Sequence, residues 1–311
     1  MSDGSRAFRV AAVGIVLAGL GPTAATAQID TTLCEASASP TLCRAAAELA
    51  AVMAVRAATI AAGGNPVSGT ASTLGRRMPR TPRLAFAVRR TAGSAELPAA
   101  AGGGSTTVTA WSGEVAVGLF DGLSPMSTVG GLFSLDLLAS ASLIQFPSAD
   151  GFRTRAPSSF ALGARLGLLR ESFTMPGVAV SAMLRRTGRT SFGDIGLEAR
   201  DLHVRLDRTQ SWSARAVMGK RIGLFGFTVG AGTDHHASRG AWRVPGPGGS
   251  PAAFEFRSLE ADRRLLFAGA SWTLLIFNFS GELGWQVDAS SEPGVAGNGG
   301  AFFGLAARMT F

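Results

Sequence analysis

From Thr81 to the carboxyl terminus the chain alternates apolar residues with small or polar ones, in segments broken by clusters of Gly, Pro, Ser and Asp. Period-two alternation places one set of side chains on each face of an extended strand. The segments lie near 82–91, 106–120, 130–146, 158–171, 176–188, 201–219, 223–235, 258–274, 277–289 and 300–311, which predicts ten strands, with twelve as the alternative count. The stretch around 197–222 is kept as one long strand because Leu202, Val204, Leu206, Trp212, Ala214, Ala216 and Met218 are all even-numbered and so share a facing. Connections at 92–105, 147–157, 189–200, 236–257 and 290–299 are long, whereas those at 121–129, 172–175, 220–222 and 275–276 are mostly shorter. That alternation predicts an all-β fold: an antiparallel up-and-down transmembrane β-barrel with extracellular loops, periplasmic turns and both barrel ends in the periplasm.

Parity then assigns faces. Leu84, Phe86 and Val88, the set Phe160, Leu162, Ala164, Leu166 and Leu168, and the trio Phe225, Phe227 and Val229 are expected to face lipid. Glu114, Asp136, Arg165, Arg185, His203, Arg205, Asp207, Arg215, Asn278, Glu282, Gln286 and Arg308 are expected to face the lumen. With His203 neutral, five of these are basic and four acidic, a balance that predicts internal pairing more than an ion-selective ring. A barrel of this size has an interior that side chains nearly fill, so a wide diffusion pore is the weaker expectation.

The last segment, Ala301 to Phe311, puts Phe303, Leu305, Ala307, Met309 and Phe311 on one face and Gly304, Ala306, Arg308 and Thr310 on the other. It resembles the C-terminal signal strand of bacterial outer-membrane β-barrels, which typically ends in Phe with an apolar residue two before it and Gly five before it. Phe311 and Met309 match, and Ala306 stands where Gly is usual. The resemblance implies residence in the bacterial outer membrane, with Met309 and Phe311 as the membrane-assembly signal read by the barrel-assembly machinery. As the tenth strand it should pair with the first and close the barrel.

The amino-terminal end points to export independently. Arg6 and Arg9 precede an apolar run, Val10 to Leu20, followed by Ala25-Thr26-Ala27, the pattern of a secretory signal peptide over 1–27. After it, no apolar stretch reaches the roughly 18 to 20 uncharged residues of a spanning helix. Residues 28–80 read instead as a helical segment, periplasmic or plugging the barrel, ahead of the barrel at 81–311. Ser39 is placed to cap a helix with Pro40 at its first position, and Gly63-Gly64 to stop it, giving a length of about 34 Å. Arg44 and Glu48 face each other one turn apart. Cys34 and Cys43, the only cysteines, are predicted to form a disulfide in an oxidising compartment, worth roughly 3 kcal/mol in the chain-entropy model less any strain. A metal reading lacks further ligands.

Composition agrees with a chain that is greasy without apolar blocks: 311 residues, 41 Gly, 16% charged and a mean hydropathy of +0.25. Losing Asp3, Arg6 and Arg9 with the signal peptide lowers the formal charge from +8 to +7. Lys220 is the only lysine, and the arginines are scattered singly instead of clustering, which argues against nucleic acid. Interior ion pairs and lipopolysaccharide phosphates are the expected partners, with Arg153, Arg155, Arg189, Arg239 and Arg243 available in outer loops. Tyrosine is absent, so 19 Phe and 5 Trp must supply any aromatic girdle.

No catalytic set is complete, and no cofactor or metal site is expected. Asp234-His235-His236 resembles the Asp-x-His pair at the rim of ten-stranded omptin proteases, but the second acidic pair of that family has no counterpart beyond Asp150. Asp234 and His236 are therefore a test pair and not an active site. Gly63-Gly64-Asn65-Pro66 resembles the Asn-Pro motif ending the plug of long-chain fatty-acid transporters, beside its ordinary reading as a turn. The resulting expectation is an outer-membrane barrel in contact with lipid and lipopolysaccharide. Its role is narrow transport, reception or structure, not enzymatic; a plugged transporter of hydrophobic substrates and an omptin-like protease are the alternatives.

Overall fold

Ten antiparallel strands close on themselves in the computed structural model, which describes residues 34–35, 37, 39–78, 81–97, 104–124, 130–146, 157–192, 202–245, 251–287 and 300–311. The segment 1–27, Asp150, Arg153 and Arg155 lie outside the described residues. In chain order the barrel strands are β1 (Leu84–Glu96), β2 (Ser105–Phe120), β3 (Ser134–Gln145), β4 (Ser158–Leu169), β5 (Gly177–Thr187), β6 (His203–Ile222), β7 (Phe225–Pro245), β8 (Pro251–Leu274), β9 (Phe277–Gln286) and β10 (Ala301–Thr310). Each pairs with its sequence neighbours, and β10 pairs with β1 from Phe302↔Gly93 to Thr310↔Ala85. Closure removes the strand edges of the barrel proper, whereas β8 runs on beyond its last pair with β9, Leu265↔Gln286. The terminal residue completes the seam: Phe311 N–H donates to the Leu84 carbonyl at 2.9 Å, and its ring meets Phe86 edge-on at 6.3 Å.

The outer wall is apolar where the alternation required it. Phe86, Val88, Phe160, Leu162, Phe225, Phe227, Val229, Phe303 and Leu305 are all exposed. Trp111, Trp212, Trp272 and Trp285 are exposed on the same wall, so tryptophan and phenylalanine serve where tyrosine is missing. Such a wall around a closed sheet suits lipid, since every backbone group within the sheet is already paired.

One helix, α1 (Pro40–Ala62), precedes the barrel and lies inside it, packed against β1, β2, β3, β6 and β7. Pro40 occupies the first turn, where its missing N–H is no loss, and Gly63, at φ +62°, ends the helix in a conformation that disfavours any side chain. The Ser39 side chain makes no cap bond. By length and composition α1 could cross a membrane, contrary to the sequence expectation, but most of it is buried within the barrel. Leu49, Ala50, Ala58 and Ile60 are essentially inaccessible. The Ala-rich surface allows close approach to the upper lumen wall, which is apolar there: Val108, Ile144, Val204, Leu265 and Phe302 share one core with the helix.

Two features differ from the sequence reading. Strands β7 and β8 run on to Pro245 and from Pro251, so the long connection expected at 236–257 shrinks to 246–250. The reason is a continued hairpin, in which Trp242 stacks on Phe254 and Phe256 at ring distances of 6.2 and 5.5 Å. The second feature is a β-bulge. Arg239 pairs with Arg208 but Gly240 pairs with Leu206, leaving Asp207 as the extra residue. A bulge reverses facing beyond it. Leu202, Val204 and Leu206 therefore pack inward against the helix-bearing core, while His203, Arg205 and Asp207 lie on the opposite face of the strand. These three do not belong to the lumenal set that parity assigned them to.

Candidate functional site

The lumen is the site, and its contents are the chain's own residues. Below α1 the backbone runs from Gly63 to Gly75 toward the end of the barrel that carries the short turns, and wall side chains hold it along the way. Arg89 donates to the carbonyls of Ala62 (3.1 Å) and Asn65 (2.8 Å), and Arg215 donates to those of Gly63 and Gly64, both at 3.2 Å. Glu282 accepts the N–H groups of Gly64 (2.9 Å) and Asn65 (2.8 Å). These are the groups that a helix ending inside a barrel leaves unpaired, so the wall supplies what water cannot.

Asn65 then folds the chain upon itself: its side-chain amide donates to Thr70 O at 2.9 Å, and its Oδ1 accepts Val67 N–H at 3.2 Å. Arg165 donates to Thr70 O at 2.8 Å and Ser271 to Gly69 O at 3.1 Å. Nearer the turns, Asp136 accepts Leu74 N–H at 3.0 and 3.1 Å, and Thr73 and Ser134 share a hydrogen bond of 2.5 Å. At the exit Asp121 accepts Arg76 N–H at 2.6 Å.

Most of the lumenal residues expected from sequence are thus brought together around one extended segment. Glu114 pairs with Arg89 at 2.7 Å and accepts from Ser68 at 3.3 Å. Arg185 is held by the hydroxyls of Ser140, Ser142 and Ser159 at 3.3 to 3.4 Å. Gln286 accepts from Arg56 of α1 at 3.1 Å and donates to Thr59 at 3.3 Å. Arg308 is flanked by Ala87 and Asn278 in register and lines two small cavities of about 10 and 40 Å³. Asp207 instead pairs with Arg205 at 3.1 Å and with Arg189 at 3.3 Å, outside the lumen.

Sequence reasoning missed three charged residues of the lumen: Arg89, Asp234 and Arg263. Asp234 and His236 were placed at the rim, but both are buried, and Asp234 is paired with Arg215 at 2.7 Å. Strand parity on β1 and β7 was the available signal for Arg89 and Asp234. With these corrections the lumen is no longer balanced: Arg89, Arg165, Arg185, Arg215, Arg263 and Arg308 face Glu114, Asp136, Asp234 and Glu282. Carbonyls of the threaded segment accept hydrogen bonds from Arg89, Arg165 and Arg215.

At the far end, the disulfide Cys34–Cys43 tethers the start of α1, and Trp242 Nε1 donates to Cys43 Sγ at 3.3 Å. Both cysteines and Trp242 are fully buried. Among the described residues no cluster of His, Cys, Asp and Glu could hold a metal ion.

No protein-family model matches the chain, and no curated protein matches it in sequence. Solved structures with a similar fold include the translocator domain of the autotransporter NalP from Neisseria meningitidis, at 10% identity, 76% of this chain, 90% of that one and a TM-score of 0.45. The outer-membrane protease OmpT from Escherichia coli aligns at 11% identity over 78% of this chain and 100% of its own, with a TM-score of 0.37. Ail of Yersinia pestis aligns at 14% identity, over 74% and 98%, with a TM-score of 0.31. Closed strands, an apolar outer wall and a polar lower lumen define the class: this chain has the fold of a transmembrane β-barrel.

Proposed function

We propose that this protein is a sealed outer-membrane barrel with a structural role, in which the described residues between Cys34 and Met78 form a fixed plug whose disulfide-bonded start lies toward the loop face. The observation that carries this reading is the continuous path of the segment, from the disulfide beside Trp242 at the loop end to Gly75 packed on Gly118 at the turn end. Loop lengths assign these ends to the cell exterior and the periplasm. The cavities beside the segment, of about 10 to 40 Å³, hold a water molecule or two and no larger solute. Transport through the lumen would require the segment to leave, breaking the hydrogen bonds that Arg89, Arg215, Glu282 and Asp136 make with it.

An epitope inserted just ahead of Cys34 tests the reading. Antibody should reach it in intact cells, and the purified protein should give no steady single-channel conductance in planar bilayers. An epitope reached only after the outer membrane is opened, or a steady conductance from the intact chain, would overturn it.

A further inference from the structure

On the outer face of the barrel, above the aromatic wall, arginines meet where a sheet should avoid them. Arg208 on β6 and Arg239 on β7 are direct cross-strand partners, and both are exposed. Like charges placed opposite each other in an antiparallel pair are destabilising. Arg186, exposed on β5, is in register with Gln210, two residues from Arg208 on the same face. Arg243, also exposed, lies four residues beyond Arg239. Three adjacent strands span about 10 Å, and Arg186, level with Ala237 through Gln210, lies six strand positions or about 20 Å from Arg243, so the four guanidinium groups share a patch of roughly those dimensions.

Among the described residues few carboxylates stand near this patch, and none is paired with it. Asp207 is taken by Arg205 and Arg189, and on β8 Glu255 and Glu260, in register with Ala241 and Ala237, join none of the four arginines in an ion pair. No ion pair joins a carboxylate of the described residues to Arg186, Arg208, Arg239 or Arg243. Guanidinium forks without carboxylates match phosphate oxygens, which they can bind two at a time.

What lies beneath the patch says which phosphates these are. Trp212 is exposed on β6 four residues from Arg208, about 13 Å along the strand, and such residues mark the headgroup level. Beside it on β5 Leu184 is exposed in direct register, and below it the wall stays apolar, with Met218 and Val229 exposed. A phosphate on these arginines therefore sits at the head of a surface made for acyl chains.

We propose that Arg208 and Arg239, flanked by Arg186 and Arg243, bind the phosphate groups of a phosphorylated lipid in the leaflet at the loop end of the barrel. The pair sits on the outer face, away from the plug contacts, so the site is independent of whether the lumen is sealed.

The test is titration of diphosphoryl lipid A into the full-length protein in phosphatidylcholine nanodiscs, read by native mass spectrometry. R208Q/R239Q should weaken binding at least tenfold while the heat-shifted gel migration of the folded barrel is unchanged, and R208K/R239K should keep part of the affinity. If the double variant does not assemble, R239Q alone is read, and a loss of about threefold is the supporting result. Equal binding by wild type and a folded variant would overturn the proposal. Displacement of the lipid by millimolar orthophosphate would do so as well, by making the pair a site for the free anion.

Discussion

The indole Nε1 of Trp242 donates to Sγ of Cys43 at 3.3 Å, joining the tip of the β7–β8 hairpin to the disulfide at the head of the lumenal helix. The contact spans 199 residues of sequence and is buried at both ends. Its removal should be felt on both elements. Trp242→Ala leaves a cavity between the helix and Phe256, costing about 3 to 5 kcal/mol. Converting both cysteines to serine should expose the first turns of α1, so that trypsin cuts after Arg44, the exposed residue next to Cys43. A cut barrel that keeps its folded gel mobility is the expected outcome; resistance equal to wild type would show that the helix is held without its tether.

Arg215 is the most connected arginine of the lumen, bound to Asp234 at 2.7 Å and to the carbonyls of Gly63 and Gly64. Arg215→Ala leaves Asp234 as an uncompensated buried charge, which should cost about 3 to 5 kcal/mol. Replacing both partners, as R215M/D234L, should recover much of that loss, because a buried pair exchanged for apolar groups is often neutral. Recovery should stop short of wild type by the bonds that Arg215 makes to the carbonyls of Gly63, Gly64, Ala214 and Thr233. Urea unfolding followed by tryptophan fluorescence ranks the three proteins, and a double variant as unstable as R215A would refute the assignment.

How much of this was legible in the sequence depends on what period-two alternation can carry. It located every barrel strand and most inward charges, because Arg165, Arg185 and Glu282 sit on stretches of strand that no bulge interrupts; in β4 the shift comes only after Gly167. It failed at Asp207, since one inserted residue reverses facing without altering the local pattern, and Leu202, Val204 and Leu206 share their parity with Trp212 while pointing the opposite way. The position of α1 had a signal that went unused. A helix carrying only Arg44, Glu48 and Arg56 as charges has no polar face for water, and such helices are buried. Partners across the lumen, such as Glu282 with Gly64, are separated by 218 residues and leave no local trace.

Gly118 offers a way to move the plug without touching its hydrogen-bonding side chains. A Cβ at this position would lie 1.9 Å from the carbonyl oxygen of Gly75, a backbone atom that cannot rotate aside. Gly118→Ala should push the segment away from β2 and break the Asp136 contacts to Leu74. Gly113→Ala on the same strand is the control, since nothing lies within 4 Å of its added methyl. Amide exchange at Leu74 and Gly75 should accelerate in the first variant and stay unchanged in the second.

Phe311 joins β1 through the Leu84 backbone and the Phe86 ring, so the assembly role proposed for it and Met309 has a physical counterpart in closing the seam. Phe311→Ala keeps the backbone bonds and loses the ring contact. It should lower the yield of assembled barrel in the outer membrane several-fold, while refolding in detergent is reduced far less. Equal losses in both settings would assign Phe311 to stability alone and not to recognition during assembly.

Deletion of residues 34–75 should convert the sealed barrel into a narrow channel whose selectivity follows from the wall. The deletion removes the carbonyls that Arg89, Arg165 and Arg215 now bind, and also Glu35, Arg44, Glu48 and Arg56 of the segment itself. What stays on the described wall is Arg89, Arg165, Arg185, Arg215, Arg263 and Arg308 against Glu114, Asp136, Asp234 and Glu282. Excess fixed positive charge in a pore this narrow concentrates anions and excludes cations, and the effect weakens as salt screens the wall. Under a potassium chloride gradient the reversal potential should therefore report chloride preference at low salt, shrinking toward molar salt. Adding R165Q and R308Q to the deletion removes the excess and should bring the preference close to zero. A cation-selective pore from the deleted protein would contradict the charge assignment, and an unchanged conductance would show that residues 34–75 are not what closes the lumen.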